Sequence, residues 1–306
     1  MSRGDSAAAA THAALRSAGP KVVAIGGGHG LACTLCALRE FASSITAIVS
    51  VADDGGSSGR LREAFGIPAP GDIRRCIGAL LPGRSPLGDA LEYRFDAGEL
   101  GGHAFGNVLL AALAATRGDF ALGVAECCTI LRTVGTVVPA TDIPVVLKAT
   151  VHGSEMQGQA RIKMTEGVTS VSLIPEDAPV PPAAIEAIRS ADEIVIGPGS
   201  LFTSVLAALA PGPIGAALAR SEARRIYVCN LHEQVPETTG FDVAAHVLAL
   251  VRHGIEPDVI ICDPEQISLG AMPEGVRVVA RPLARGDGLA HDAKLLAAAL
   301  VAAARS

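Results

Sequence analysis

This sequence of 306 residues predicts an α/β fold: a doubly wound, mostly parallel sheet with a small antiparallel β excursion. Three observations carry the prediction. Short apolar strands alternate with helical stretches at both ends of the chain. Two of those strands run into glycine-rich turns, Gly26-Gly27-Gly28-His29-Gly30-Leu31 after Val22-Val23-Ala24-Ile25, and Gly197-Pro198-Gly199-Ser200 after Ile194-Val195-Ile196. Between them, from Thr136 on, Pro139 and Pro144 break the helical pattern and short strands with turn residues follow.

The elements are read in chain order. Residues 1–20 are Ala-rich with isolated charges and read as a disordered tail. Residues 21–306 read as one domain. A strand at 21–25, a helix at 32–41 and an apolar strand at 45–51 form a βαβ unit with a right-handed crossover. Residues 72–132 are mostly helical, with 104–115 and 121–131 the clearest segments, parted by Arg117-Gly118-Asp119. The excursion covers about 136–174, with strands at 145–152, 156–164 and 168–174. Alternation then resumes: helix 183–190, strand 193–196, helix 200–209, strand 225–230, helix 243–253, strands 258–262 and 276–281, and a terminal helix 292–304.

Composition narrows the function. Hydrophobic residues make up 49% and charged residues 18%, which excludes disorder. Aromatics are 3% with no Trp, so the core is aliphatic and stacking platforms for single-stranded nucleic acid are lacking. A net charge of −6 and no Lys/Arg block argue against a nucleic-acid backbone as partner. No apolar run reaches a membrane span and no signal-peptide core is present, so a cytoplasmic location is expected. The cysteines at 33, 36, 76, 127, 128, 229 and 262 read as reduced thiols. Cys33-x-x-Cys36 reads as core packing, since a lone CxxC has no second pair.

The chemistry clusters at strand ends. A strand, a side-chain-poor turn and a helix N-terminus present free N–H groups and a positive dipole end, which suits phosphate. The first turn is GGGxGL: Leu31 stands where the dinucleotide fingerprint needs glycine, and no P-loop lysine follows. A strained turn without a ligand is the alternative. Asp53 and Asp54 end the second strand, where an acid holds a ribose hydroxyl, a pair holds Mg²⁺ through waters, or one caps the next turn. Gly55 to Gly59, with Ser57 and Ser58, can fold into an amide nest. Arg60, Arg62, Arg74 and Arg75 are the nearest cations for a phosphoryl group, with surface salt bridges as the alternative. Asp72 lies in the same Gly71-Asp72-Ile73-Arg74-Arg75 block. His103 and Asn107 open a helix four residues apart, and His103 is the one candidate base. Asn230 ends another strand, and Glu237-Thr238 is expected to close over the site. No nucleophile with an evident base partner is found.

The blocks GGGHGL, TAIVSVADDGGSSGRLR, PGDIRRCI, GHAFGN, VVPAT, ADEIVIGPGSLFTS and VCNLHEQVPETTGF together resemble the YvcK-like gluconeogenesis factor family, in collinear order from about Lys21 on. That family is grouped with the CofD-type 2-phospho-L-lactate transferases. The resemblance implies a Rossmann-like fold, binding of UDP-N-acetylglucosamine, and a role in growth on gluconeogenic carbon sources and in cell shape and wall synthesis. It implies regulation without turnover. The alternative is a transferase moving a phospholactyl group from a nucleotide diphosphate ester to a deazaflavin with Mg²⁺; the low aromatic content disfavours that acceptor. A dehydrogenase is disfavoured by the missing GxGxxG. The implied ligand positions are Gly26 to Leu31, Asp53, Asp54, Asn107, Gly197, Gly199, Ser200 and Asn230. His29 stands where many members carry Thr, Arg75 where Asn is usual, and His232-Glu233 replaces a Met-Thr pair. Expected partners are a UDP-sugar, a second copy of the chain, and an unidentified metabolic or cell-wall protein.

Overall fold

Strand β1 (Lys21–Gly26) is buried from Val22 onward. Its unbroken apolar run suits a strand covered on both faces. In the computed structural model, which describes residues 18–273 and 275–304, β1 pairs in parallel with β2 (Ser44–Val49) on one side and β7 (Glu193–Ile196) on the other. Beyond β2 lies β3 (Thr136–Pro139); beyond β7 lie β8 (Arg224–Val228), β9 (Val259–Cys262) and β10 (Arg277–Ala280). The seven-stranded order is β10-β9-β8-β7-β1-β2-β3, parallel throughout. The chain winds outward from β1 to β3, then returns to the other side and winds outward again. The winding reverses between β1 and β7, so their carboxyl ends flank a crevice. The tail expected before Lys21 falls outside the described residues as far as position 17.

Several helices start earlier than the sequence reading places them. α1 (Gly28–Leu38) begins inside the first glycine turn. α2 (Gly56–Phe65) forms from the Gly/Ser stretch, which is therefore a helix N-terminus and not a separate amide nest. α3 (Gly71–Ala79) and α4 (Pro86–Glu92) follow, the latter capped by Ser85, which accepts from the Gly88 amide. α5 (Phe105–Arg117) and α6 (Phe120–Leu131) are parted by Gly118 at φ 70° and by Asp119, which caps α6 by accepting from Leu122. This is the break that Arg117-Gly118-Asp119 predicts.

The second sheet has order β5-β4-β6, all antiparallel: β4 (Val146–Val151), β5 (Ser154–Gln157) and β6 (Val168–Ile174). Two details differ from the sequence reading. Thr136–Pro139 pairs in parallel with β2 and belongs to the main sheet. The strand expected over 156–164 ends at Gln157, and a short helix α7 (Gln159–Lys163) takes its place. The reason is long-range: both Asp54 carboxylate oxygens accept amides at the start of α7, from Gln159 at 2.8 Å and Ala160 at 2.9 Å. Local β signal loses to that cap.

The second half supplies α8 (Pro182–Ser190), α9 (Leu201–Leu209, with its first six residues π-helical), α10 (Gly212–Arg220), α11 (Val243–Arg252) and α12 (Ala293–Ala304). The sequence reading has no counterpart of α10. The core is aliphatic, with Tyr227 and Phe202 its largest fully buried side chains.

Candidate functional site

The two glycine turns meet. Gly28 sits at φ 66°, where a side chain is disfavoured, and turns the chain into α1. Leu31 N–H makes the first helical bond, to the Gly27 carbonyl, so the amides of Gly28, His29 and Gly30 have no helical acceptor. A Cβ on Gly30 would lie 2.3 Å from the Pro198 carbonyl oxygen. Only glycine permits that approach. Thr34 in α1 donates to the Gly197 carbonyl at 2.9 Å. Asn230 clamps the second turn: its Oδ1 accepts from Gly199 N–H at 2.9 Å and its Nδ2 donates to Gly199 C=O at 2.8 Å. Leu31, Gly26 and Gly27 are buried in this junction.

The helix after the second turn is closed by the protein itself. The Glu237 carboxylate accepts from the amides of Phe202 (2.8 Å) and Thr203 (2.9 Å) and from the Thr203 hydroxyl. Burial pushes its carboxyl up from the ordinary value, against those donors. Glu237 and Thr238 are buried and do not close over a site, contrary to expectation. The Ser200 carbonyl accepts the first bonds of α9, from Ser204 and Val205.

A cleft of about 1180 Å³ opens beside this junction. Its lining comes from Pro198, Gly199 and the stretch Asn230 to Gln234, from His29, Gly30, Cys33 and Cys36 of α1, and from Arg75, Arg84 and Glu92. Arg39, Arg285 and His291 also line it. None of these three figures in the sequence reading: Arg39 follows α1 one turn after Cys36, and tertiary packing brings Arg285 and His291 there. Arg39 donates to the Ala79 carbonyl at 3.0 Å. Arg75 pairs with Asp72 at 2.7 Å. His291 is buried beneath the Cys229 carbonyl at 3.2 Å, and burial pulls its pKa down to about 4. Burial, then the Arg75 charge, pulls the His29 imidazole below the usual range. Both cysteines of the CxxC face the cleft. Burial pushes Cys33 up to about 11 and raises Cys36, so both are thiols at neutral pH.

Of the residues expected at a ligand, His29, Gly30, Arg75, Gly199 and Asn230 line the cleft. Others do not. Arg74 is buried at 4% exposure and is held by the Leu91 carbonyl and the Glu92 carboxylate. Its neighbour Arg75 reaches the cleft instead, one helical position away. Ser58 is buried against Gly71. Ser57, Asn107 and His103 form a chain of their own: Asn107 Nδ2 donates to Ser57 Oγ at 3.0 Å, and Ser57 Oγ lies 3.1 Å from His103 Nδ1. The hydroxyl–imidazole neighbour that the sequence hides lies 46 positions away. Arg60 donates to the Gly101 carbonyl at 3.0 Å.

The acids divide. Asp54 caps α7, as above. Asp53 accepts from Gly55 N–H at 3.1 Å in a local turn. Asp72 accepts from the Gly28 amide; burial raises its carboxyl, Arg75 counters this, and the Asp53 charge adds to it. Asp54 spends both carboxylate oxygens on the α7 amides, Asp72 pairs with Arg75, and Asp53 accepts from Gly55, so each acid has a protein partner of its own. No group of three metal-ligating side chains occurs among the described residues.

A second hollow of about 440 Å³ shares Asp89 with the cleft and is lined by Pro86, Ala90, Tyr93, Phe95 and Phe105. Tyr93 and Phe95 stack edge to face at 5.3 Å. Among the described residues, no single helix is long and apolar enough to cross a membrane.

A doubly wound parallel sheet with glycine turns interlocked at its switch point defines a Rossmann-like α/β protein with a ligand-sized cleft. The family model described as 2-phospho-L-lactate transferase CofD matches residues 22–293. A gluconeogenesis factor from Halalkalibacterium halodurans is 43% identical over 246 residues, covering 78% of this chain and 76% of that protein. One from Bacillus subtilis is 42% identical over 237 residues, covering 76% and 74%. Against a relative from Nostoc sp., 47% identical over 235 residues and 76% of this chain, the match spans 52% of the longer protein, about half its length. The crystal structure of a UPF0052-family protein from Bacillus halodurans superposes with a TM-score of 0.86 at 37% identity, covering 92% of this chain and 99% of that one. The chain belongs to the CofD family, among its gluconeogenesis factors.

Proposed function

We propose that this chain is a cytoplasmic nucleotide-sugar sensor: it binds UDP-N-acetylglucosamine in the cleft and presents the bound state to a partner acting in gluconeogenic growth and cell-wall synthesis. The junction of the two turns carries the reading. At the switch point His29 and Gly30, whose amides lack helical acceptors, line the same cleft as Arg75 and Arg285, and a diphosphate needs that combination. The volume accommodates a nucleotide sugar. Family membership points the same way. Residues 21–306 are taken to act as one domain, and a homodimer as the working assembly.

Calorimetric titration with UDP-N-acetylglucosamine tests this, with GDP-linked sugars as the comparison. Saturable binding is expected, with the nucleotide recovered intact after incubation with Mg²⁺. Absence of binding overturns the reading. Release of UDP or UMP that disappears in His103→Ala favours a second one, a phosphoester transferase. Two observations support that alternative: the aromatic hollow beside the cleft, which the low overall aromatic content conceals, and the approach of Ser57 to His103.

A further inference from the structure

One segment of the cleft lining is tied down at both ends and nearly free between them. Leu283 is fully buried, and its amide and that of Ala284 donate to the buried Asp263 carboxylate at 2.7 and 3.1 Å. At the other end Asp292 N–H returns to Leu283 C=O at 2.7 Å, His291 is buried, and Ala284 bridges to His291. Cys33 of α1 donates to the His291 carbonyl at 3.3 Å. These bonds close the neck of a hairpin, residues 285–290. Inside it, Arg285 N–H donates to Ala290 C=O and Gly288 N–H to Arg285 C=O, both at 2.8 Å.

Beyond that neck little holds the hairpin. Arg285, Gly286, Asp287, Leu289 and Ala290 are exposed and Gly288 is half-buried. Segments with so few buried contacts open at low cost. One hydrogen bond joins the hairpin to the rest of the described residues: His232 Nε2 lies 2.8 Å from the Gly288 carbonyl oxygen. A carbonyl oxygen only accepts, so Nε2 carries the proton and donates it. His232 itself follows Asn230, whose side chain is fixed on Gly199, so the hairpin tip is pinned to the firm flank of the cleft. Leu289 lines the cleft together with Arg285 and Ala290. It is nevertheless 81% exposed, more than any other large apolar side chain among the described residues.

We propose that residues 285–290 are a lid on the cleft, hinged at Ala284 and His291, latched by His232, and drawn down so that Leu289 covers a bound ligand. Two differences in free energy drive the closure. A diphosphate in the cleft attracts the Arg285 charge that the hairpin carries, and Leu289 leaves water for the surface of the ligand. The closure opposes one hydrogen bond, the latch. For its occupant the lid rests on the nucleotide-sugar reading; the hinge and the latch do not.

Two measurements on the full chain test it. The first needs no ligand: amide hydrogen exchange in the wild type, in His232→Phe, which keeps a ring without a donor, and in His232→Gln, which keeps a donor. The side chain is exposed, so the fold is retained. Exchange of the Arg285 and Gly288 amides should rise about three- to tenfold in the Phe variant, the worth of one hydrogen bond. It should stay near wild type in the Gln variant, with Leu283 and Ala284 unchanged in both. Equal exchange in all three proteins, or a rise that includes Leu283 and Ala284, overturns the hinge and latch. The second measurement uses Leu289→Trp in a chain with no Trp of its own. With UDP-N-acetylglucosamine at calorimetric saturation, its emission should shift to the blue, and the wild-type amides of 285–290 should exchange more slowly. Neither change at saturation overturns the lid and leaves the nucleotide-sugar reading standing. Absence of saturable binding overturns that reading instead, and the lid then stands or falls on the exchange measurement.

Discussion

The two glycine turns look alike in the sequence and end differently. Each follows a buried parallel strand and each leads into a helix. The first feeds α1, and its residues His29 and Gly30 line the cleft. The second feeds α9, whose opening amides already bind the buried Glu237 carboxylate, while Asn230 holds the Gly199 backbone from both sides. One turn is an open mouth and the other a wall. Glycine content and strand position therefore mark where phosphate can approach. How many amides the protein's own carboxylates already take decides how much room is left: Asp72 takes the Gly28 amide at the start of α1, whereas Glu237 takes those of Phe202 and Thr203 at α9.

The largest effect should come from unplugging the wall. Glu237→Ala leaves two buried amides and a hydroxyl without an acceptor, which predicts about 4 kcal/mol of lost stability. Urea unfolding measures it; a loss below a quarter of that would mean the α9 terminus is open to water, like the first.

The wall also depends on pH through His291, beneath the Cys229 carbonyl and next to Asn230 in the cleft lining. Its pKa falls from 6.5 to about 4 in the folded state. The unfolded chain therefore binds the proton more tightly, so stability is full above about pH 6.5 and is lost as pH falls toward 4. The shift corresponds to about 3 kcal/mol. Asp142, raised to about 6, works in the opposite direction over part of this window. The informative quantity is thus the difference between wild type and His291→Gln across pH 4–7. A pH-independent difference would remove His291 from the account.

Smaller still is the interlock between the turns. Gly30→Ala forces its Cβ against Pro198, at a cost of about 2 kcal/mol, and should weaken cleft ligands more than Gly212→Ala, where a Cβ meets nothing. Equal behaviour of the two variants in thermal melts and titrations would show that the turns are not mechanically joined.

Much of the fold was legible because its strands are buried on both faces and its breaks carry glycine, proline or aspartate. β1, β2 and β7, the α5–α6 break and the antiparallel strands β4 and β6 follow from local pattern. Less of the site was legible. Arg74 and Arg75 are indistinguishable in sequence, and one helical step sends the first into the Leu91–Glu92 contact and the second to the cleft. Arg285 and His291 carry no motif; they reach the cleft because the segment before α12 folds back beside α1. Asp54 reads as a ligand and caps α7, over a hundred positions away. A pattern of near neighbours cannot encode such a partner.

Asn230 has one more consequence. Its carboxamide offers a donor and an acceptor to the same residue, Gly199, as a peptide unit of a neighbouring strand would. The second turn is in effect paired with a strand one side chain long. Backbone pairing of that kind resists shear, so this flank of the cleft acts as an anvil. Under the proposed function, movement on ligand binding would fall to the solvent-facing stretches around Gly83 and Arg84 and around Leu289, which line the same cleft. Those stretches are where the proposed partner would read the bound state.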